Sequence, residues 1–159
     1  MIRDVELGGM AFFQSSHVVE HVDTDDSGVM HFSRFLSLVE TATLRGFHEL
    51  GCGIAHMRAQ KKDLVVSEAH TRYYVPAKFL DRLEVVVHME HVGAAQLRIA
   101  GAVSRDKGDG DRPVLLARTN LVLGLVDADT GRASVIPPRV KAVLAAVPER
   151  SVLGDAKDD

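Results

Sequence analysis

Phe32-Ser33-Arg34-Phe35-Leu36-Ser37-Leu38-Val39-Glu40-Thr41-Ala42-Thr43-Leu44-Arg45-Gly46-Phe47-His48-Glu49-Leu50 is the stretch whose reading decides the fold. Its apolar positions, Phe32, Phe35, Leu36, Val39, Ala42, Thr43, Phe47 and Leu50, recur at intervals of three and four. That spacing predicts a helix with one buried face. Ser33, Arg34, Ser37, Glu40, Thr41 and Arg45 fill its other faces, and Gly51 and Gly53 end it, because glycine enters the left-handed region at little cost.

Outward from this helix, the chain reads as strand. A first strand is expected from about Phe12 to Val22, before the helix. After it come Leu64–Tyr74, then Leu83, Val85, Val87 and Met89 in alternation, then Leu97, Ile99, Gly101 and Val103 in alternation, then Val114–Val126. A period of two is the mark of a half-buried strand. The cluster Lys107-Gly108-Asp109-Gly110-Asp111 reads as a hairpin turn, 127–131 as another turn, and Ile136-Pro137-Pro138 opens a short helix through about Val147. Short connections imply antiparallel neighbours, and the long helix is the element able to cover the apolar face of such a sheet. The expected class is α+β, a curved antiparallel sheet wrapped around one central helix. It forms one domain over residues 1–148, with a loosely held lead-in at 1–10 and a frayed tail at 149–159.

Composition narrows the function. A net charge of −3 and the lack of a basic cluster argue against a nucleic-acid partner. No apolar run reaches bilayer length and no signal-peptide layout opens the chain, so a soluble, cytoplasmic protein is expected. The single cysteine, Cys52, excludes an intrachain disulfide and a CxxC site, and reads as a quiet thiol. No zinc-type spacing, Gly-x-Ser-x-Gly elbow, GxGxxG or Walker loop occurs, so neither a metal nor a nucleotide cofactor is expected. His88 and His91, three apart in a strand, should point to opposite faces, and His17 and His21 sit too far apart along theirs to share an ion.

The helix is entered through Val22-Asp23-Thr24-Asp25-Asp26-Ser27-Gly28-Val29-Met30-His31. Asp25 lies just upstream of a helix N-terminus, where unpaired N–H groups and the helix dipole favour negative charge. A carboxylate there can cap the helix, or can act as base or nucleophile beside an oxyanion site. Asp23 and Asp26 read as solvated turn residues, with Asp23 able to orient the loop, and Ser27 as an alternative cap. His31 reads either as a proton carrier or as a histidine packed on the loop.

The pattern Asp23-Thr24-Asp25-x-x-Gly28-Val29-x-x-Phe32, with Phe35 and Glu40, resembles the motif of the 4-hydroxybenzoyl-CoA thioesterase group of hotdog-fold enzymes. Tyr74-Val75-Pro76-Ala77-x-x-x-Asp81-x-Leu83-x-Val85 resembles that group's second block, and Ile136-Pro137 its final step. The resemblance implies hydrolysis of an acyl thioester of coenzyme A or of an acyl carrier protein. Asp25 would be the catalytic carboxylate, and the backbone N–H near Phe32 would polarise the carbonyl. Gly28, Val29, Ile54 and Met57 would line the substrate site. Arg139 and Lys141 would meet the phosphates of coenzyme A or phosphopantetheine, with Arg72 and Lys78 as further candidates. It also implies a homodimer or a dimer of dimers with the site at the interface, and no cofactor beyond the substrate's own coenzyme A or phosphopantetheine.

His56, expected in the loop after the central helix, carries a second reading. Related hotdog enzymes of bacterial secondary metabolism use a loop histidine, through water, to add glycine across an α,β-unsaturated acyl thioester before hydrolysis. Those enzymes lack the acidic residue that Asp25 supplies here. A non-catalytic acyl-binding hotdog dimer is the third reading.

Overall fold

A computed structural model describes residues 11–106 and 112–147. The expected lead-in at 1–10, the turn at 107–111 and the tail at 149–159 lie outside the described residues. Among the described residues, six strands and three α-helices follow in the order β1 (Phe13–Val18), α1 (Phe32–Glu49), α2 (Ile54–Ala59), β2 (Lys62–Tyr73), β3 (Arg82–Val92), β4 (Gln96–Arg105), β5 (Val114–Asp127), β6 (Ala133–Ser134) and α3 (Pro138–Ala145). The sheet runs β1-β3-β4-β5-β2, every pairing antiparallel, with β6 attached to β5.

α1 forms where its apolar stripe predicts. Phe35, Val39, Ala42, Thr43, Gly46 and Phe47 are its buried residues. Phe35, Val39, Ala42 and Phe47 share one core with Val85, Val87 and Met89 of β3, Leu97, Ile99 and Val103 of β4, and Leu121 and Leu123 of β5. Each fully buried Leu, Ile or Phe contributes about 1.5–3 kcal/mol relative to exposure. The helix crosses β4 so closely that a Cβ on Gly101 would lie 2.4 Å from Val39 Cγ1. Its end is a Schellman motif: Gly51, at φ +79°, donates to the His48 carbonyl, and Cys52 N–H reaches the Phe47 carbonyl, each at 3.0 Å.

Four expectations are corrected. The first strand stops at Val18, and residues His21–Asp23 form a 3-10 turn instead. The reason is Asp23, whose carboxylate takes the Glu20 N–H at 2.8 Å and bends the chain out of the sheet. The segment after α1 is not a loop but the short helix α2, with Gly53 at its N-cap. The final helix is confined to Pro138–Ala145, since Pro137 sits at its N-cap in extended backbone. His88 and His91 share a face. A bulge between Met89 and His91 restores the parity, so that His88 pairs with Ala100 and His91 with Arg98 on the side away from α1.

β2 is a sheet edge twelve residues long, and most of it is exposed. No helix among the described residues is long and apolar enough to cross a membrane.

Candidate active site at the ends of the central helix

The acidic segment folds as a tight hairpin. Thr24 bridges Met30, Asp25 N–H donates to the Val29 carbonyl at 2.9 Å, and Gly28 N–H returns to the Asp25 carbonyl at 3.0 Å. Gly28 takes φ +77°, which closes the turn and explains a glycine at that position. The exposed Asp25 opens the turn, and its Oδ1 accepts the Ser27 N–H at 2.8 Å. The second arm of the hairpin is held from outside. Met30 N–H donates to the Ala77 carbonyl at 2.7 Å, and Val29 bridges Lys78. The two sequence blocks that carry the family resemblance are therefore in contact.

The base of the hairpin runs into α1. His31, not Ser27, is the helix N-cap: its Nδ1 accepts the Ser33 N–H at 3.3 Å and meets Ser33 Oγ at 2.7 Å, while its ring packs against Phe32. Arg34 N–H is taken by the His31 carbonyl at 2.9 Å. Phe32, the first helical residue, has no intrahelical acceptor for its N–H, and none is met elsewhere among the described residues. The Phe32 ring is 64% exposed, and the Tyr73 hydroxyl donates to the Phe32 carbonyl at 2.8 Å, tying the end of β2 to the start of α1. Asp25 stands two residues up the hairpin from the helix entry, about 7 Å of extended chain. A carbonyl between the two would meet a carboxylate on one side and a helix N-terminal donor on the other.

Asp23 is not the solvated turn residue expected. It is 1% exposed. Its Oδ2 receives His17 Nε2 at 2.7 Å and Glu20 N–H, and its Oδ1 receives Arg34 Nε at 2.8 Å. Burial pushes its acid upward, but the Glu20 N–H, His17 and Arg34 together hold it below the ordinary aspartate value. A single buried carboxylate thus clamps β1, the 3-10 turn and the first turn of α1. The sequence signal was a polar residue, Arg34, one turn into the helix beside an Asp-x-Asp step.

The other end of α1 carries a cavity of about 290 Å³ between α1, α2, β2 and β5. Leu44, Met57, Leu64, Leu121 and Leu123 supply apolar wall, Ile54 and Val66 a partly exposed rim, and Glu40, Arg58, Lys62 and Asp63 the polar edge. Ile54 and Met57 both line this cavity. Glu40, Arg58 and Lys62 were not anticipated as site residues, although Arg58, Lys61 and Lys62 form a short basic run in the sequence. His56 is not in the cavity wall: it sits on α2, where Gln60 Nε2 donates to its Nε2 at 2.8 Å.

Within one chain the structure does not bring the two halves together. Phe32 and Leu44 are twelve residues apart on α1, about 18 Å along its axis. Arg139 and Lys141 are exposed on α3, and Arg139 lies near enough to Cys52, beyond the C-terminal end of α1, to act on its thiol. Burial raises that thiol despite Arg139, so Cys52 is protonated and inert at neutral pH. Lys78 lies against the acidic hairpin, and Arg72 stacks on Tyr74.

An antiparallel sheet folded around one long helix, with an acidic hairpin feeding that helix, defines the hotdog class. The profile of the thioesterase-like superfamily matches residues 19–144, and the chain belongs to that family. It is 25% identical over 134 residues to a 1,4-dihydroxy-2-naphthoyl-CoA hydrolase of Synechococcus elongatus, an alignment covering 83% of this chain and 94% of the relative. Among solved structures it resembles a 1,4-dihydroxy-2-naphthoyl-CoA thioesterase from Synechocystis, with TM-score 0.74, 19% identity, and coverage of 84% of this chain and 95% of the other. It also resembles a Staphylococcus aureus protein solved in complex with CoA, with TM-score 0.77, 15% identity, and coverage of 84% and 82%.

Proposed function

We propose that this protein hydrolyses an acyl-CoA thioester to the free acid and coenzyme A, with Asp25 as base or nucleophile and the Phe32 N–H as the oxyanion donor. The observation that carries the reading is the hairpin itself. It holds a carboxylate about 7 Å of chain above a helix start whose first N–H has no acceptor among the described residues. Attack on the thioester carbonyl, by Asp25 or by water that it deprotonates, puts negative charge on the carbonyl oxygen. The helix N-terminus is a preset donor for that charge. Collapse of the intermediate expels the thiolate of coenzyme A. If Asp25 itself attacked, water then cleaves the resulting anhydride.

The acyl group would sit in the cavity beside α2, and that requires two copies of the chain. β2 spans about 40 Å and is unpaired along one side. Its Tyr73 end adjoins the Asp25 hairpin, while its Lys62–Val66 end lines the cavity. Antiparallel pairing of two β2 edges would set each hairpin beside the partner's cavity and would cover an edge that otherwise invites aggregation. Arg58 and Lys62 line the cavity rim and Arg139 and Lys141 do not, which makes the first pair the better phosphate contacts.

The Synechococcus and Synechocystis relatives are named for 1,4-dihydroxy-2-naphthoyl-CoA, so an aryl-CoA heads the substrate panel. The others are 4-hydroxybenzoyl-, acetyl-, octanoyl- and palmitoyl-CoA, with thiol release as the readout. Turnover by the wild type and its loss in Asp25→Asn are expected. Full activity in Asp25→Asn overturns the assignment, and a fully active monomer overturns the two-chain site. Crotonyl-CoA with glycine belongs in the same assay. A carboxymethylamino product by mass spectrometry would move the chemistry to His56, and ligand-dependent stabilisation without thiol release would reduce the protein to an acyl binder.

A further inference from the structure

We propose that Asp23 is a positioning residue that holds the Asp25 carboxylate at its working distance from the α1 N-terminus, with His17 and Arg34 as the arms through which it grips the fold. The inference rests on Asp25 being the reacting carboxylate. The two arms of the hairpin are fixed differently. The arm with Val29 and Met30 is bound to the Ala77-Lys78 segment. The arm with Asp25 is bound through its foot. Asp23 gives its N–H to the Glu20 carbonyl at 3.0 Å and takes the His31 N–H on its own carbonyl at 2.8 Å. Its two carboxylate oxygens hold β1 through His17, the 3-10 turn through Glu20 and α1 through Arg34. Thr24, the one residue between Asp23 and Asp25, is tied by N–H and hydroxyl to the His21 carbonyl, at 3.1 and 2.7 Å. Arg34 is itself fixed, since its Nη1 donates to Ser37 Oγ at 2.9 Å.

The chemistry of the clamp needs a carboxylate. Three donors converge on two oxygens, and an amide of the same shape offers one acceptor oxygen and a nitrogen that only donates. Asn at this position must therefore turn its NH₂ toward either Arg34 or the His17–Glu20 pair, and one anchor of the hairpin is lost. The hairpin base can then shift relative to the first turn of α1 while the core beneath it stays packed. Displacement of a reacting group by about 1 Å costs on the order of 100-fold in rate.

The test is a cycle of Asp23→Asn with Asp25→Asn, read on the most active acyl-CoA of the panel. Asp23→Asn alone is expected to lower kcat about 10–100-fold, with KM within about twofold. In the Asp25→Asn background the same change should alter residual kcat by less than about twofold, because the group it positions is gone. An equal fold loss in both backgrounds, or wild-type kcat in Asp23→Asn, overturns the proposal. If Asp23→Asn fails to fold, Arg34→Gln carries the same cycle with an expected loss of about 3–10-fold. Full activity in Asp25→Asn alone defeats the assignment of Asp25 instead, so the two failures are distinct.

Discussion

The two ends of α1 are built on opposite principles. At its N-terminus, side chains and backbone are committed to fixed polar geometry: Asp23 alone takes three hydrogen bonds on its carboxylate, and His31 caps the helix with its ring. Toward its C-terminus, Leu44 meets Met57, Leu64, Leu121 and Leu123 around a cavity whose polar groups stand at the rim. In the proposed reaction, one end would set angles and distances. The other offers volume and apolar surface, tolerant of shape. A hydrolase that must handle one invariant thioester and a variable acyl group needs both, and a single chain keeps them about 18 Å apart. In the two-chain site proposed above, precision and permissiveness would meet across two protomers rather than within one.

The sharpest way to break this contrast is Asp25→Asn. If the polar end does the chemistry, kcat should fall by about 10²–10⁴-fold, the range of a lost general base, while the acyl preference across the panel stays in the same order. A changed order of preference with kcat intact would mean that the polar end selects and does not react.

That end was largely legible in the sequence, and the reason is physical. Hairpin, glycine turn and helix start are local: Gly28 must reach positive φ, and the stripe from Phe35 to Phe47 must face the core. A turn that demands positive φ or a periodic stripe leaves a pattern; a side-chain contact, even between residues six apart such as His17 and Asp23, does not. The Asp23 clamp was missed because its arms, His17 and Arg34, come from a strand and a helix that meet only in three dimensions. A carboxylate flanked by Thr24 and Asp25 otherwise reads as surface. The α2 helix was missed because six residues bounded by glycine carry too little periodicity to separate a short helix from a loop. The cavity was half visible: Ile54 and Met57 are contiguous with the motif region, whereas Leu121 and Leu123 enter from a strand some sixty residues on.

A smaller effect probes the permissive end. Ile54→Trp puts a large ring at the cavity mouth, from a side chain that is 42% exposed and so costs the fold little. The expected outcome is a loss of about tenfold in kcat/KM for the bulkiest acyl group and near-normal values for acetyl-CoA, with Tm unchanged. A uniform loss across the panel would place the acyl group elsewhere. Equal kcat/KM for every substrate would leave the cavity with no part in recognition.

The smallest expected effect compares two carboxylates in acid. Asp23 is held low inside the clamp, and Asp127 is held low at the surface, by the N–H groups of Thr130 and Asp129 in the turn after β5. A carboxyl whose pKa is depressed on folding stabilises the protein above its unfolded value and loses that contribution as pH falls through the folded one. For both residues the loss therefore begins near pH 4, the ordinary aspartate range, and continues below it. Protonating Asp23 also removes an acceptor from the buried clamp and leaves Arg34 and His17 facing a neutral acid. Protonating Asp127 releases two exposed N–H groups to water. Thermal melts at pH 7 and pH 3 should then separate the sites: Asp23→Asn should lower Tm at pH 7 and narrow the gap to pH 3, whereas Asp127→Asn should change both values only slightly. If the two variants behaved alike, burial would add nothing to the worth of the clamp, and the contrast between the ends of α1 would reduce to one of shape.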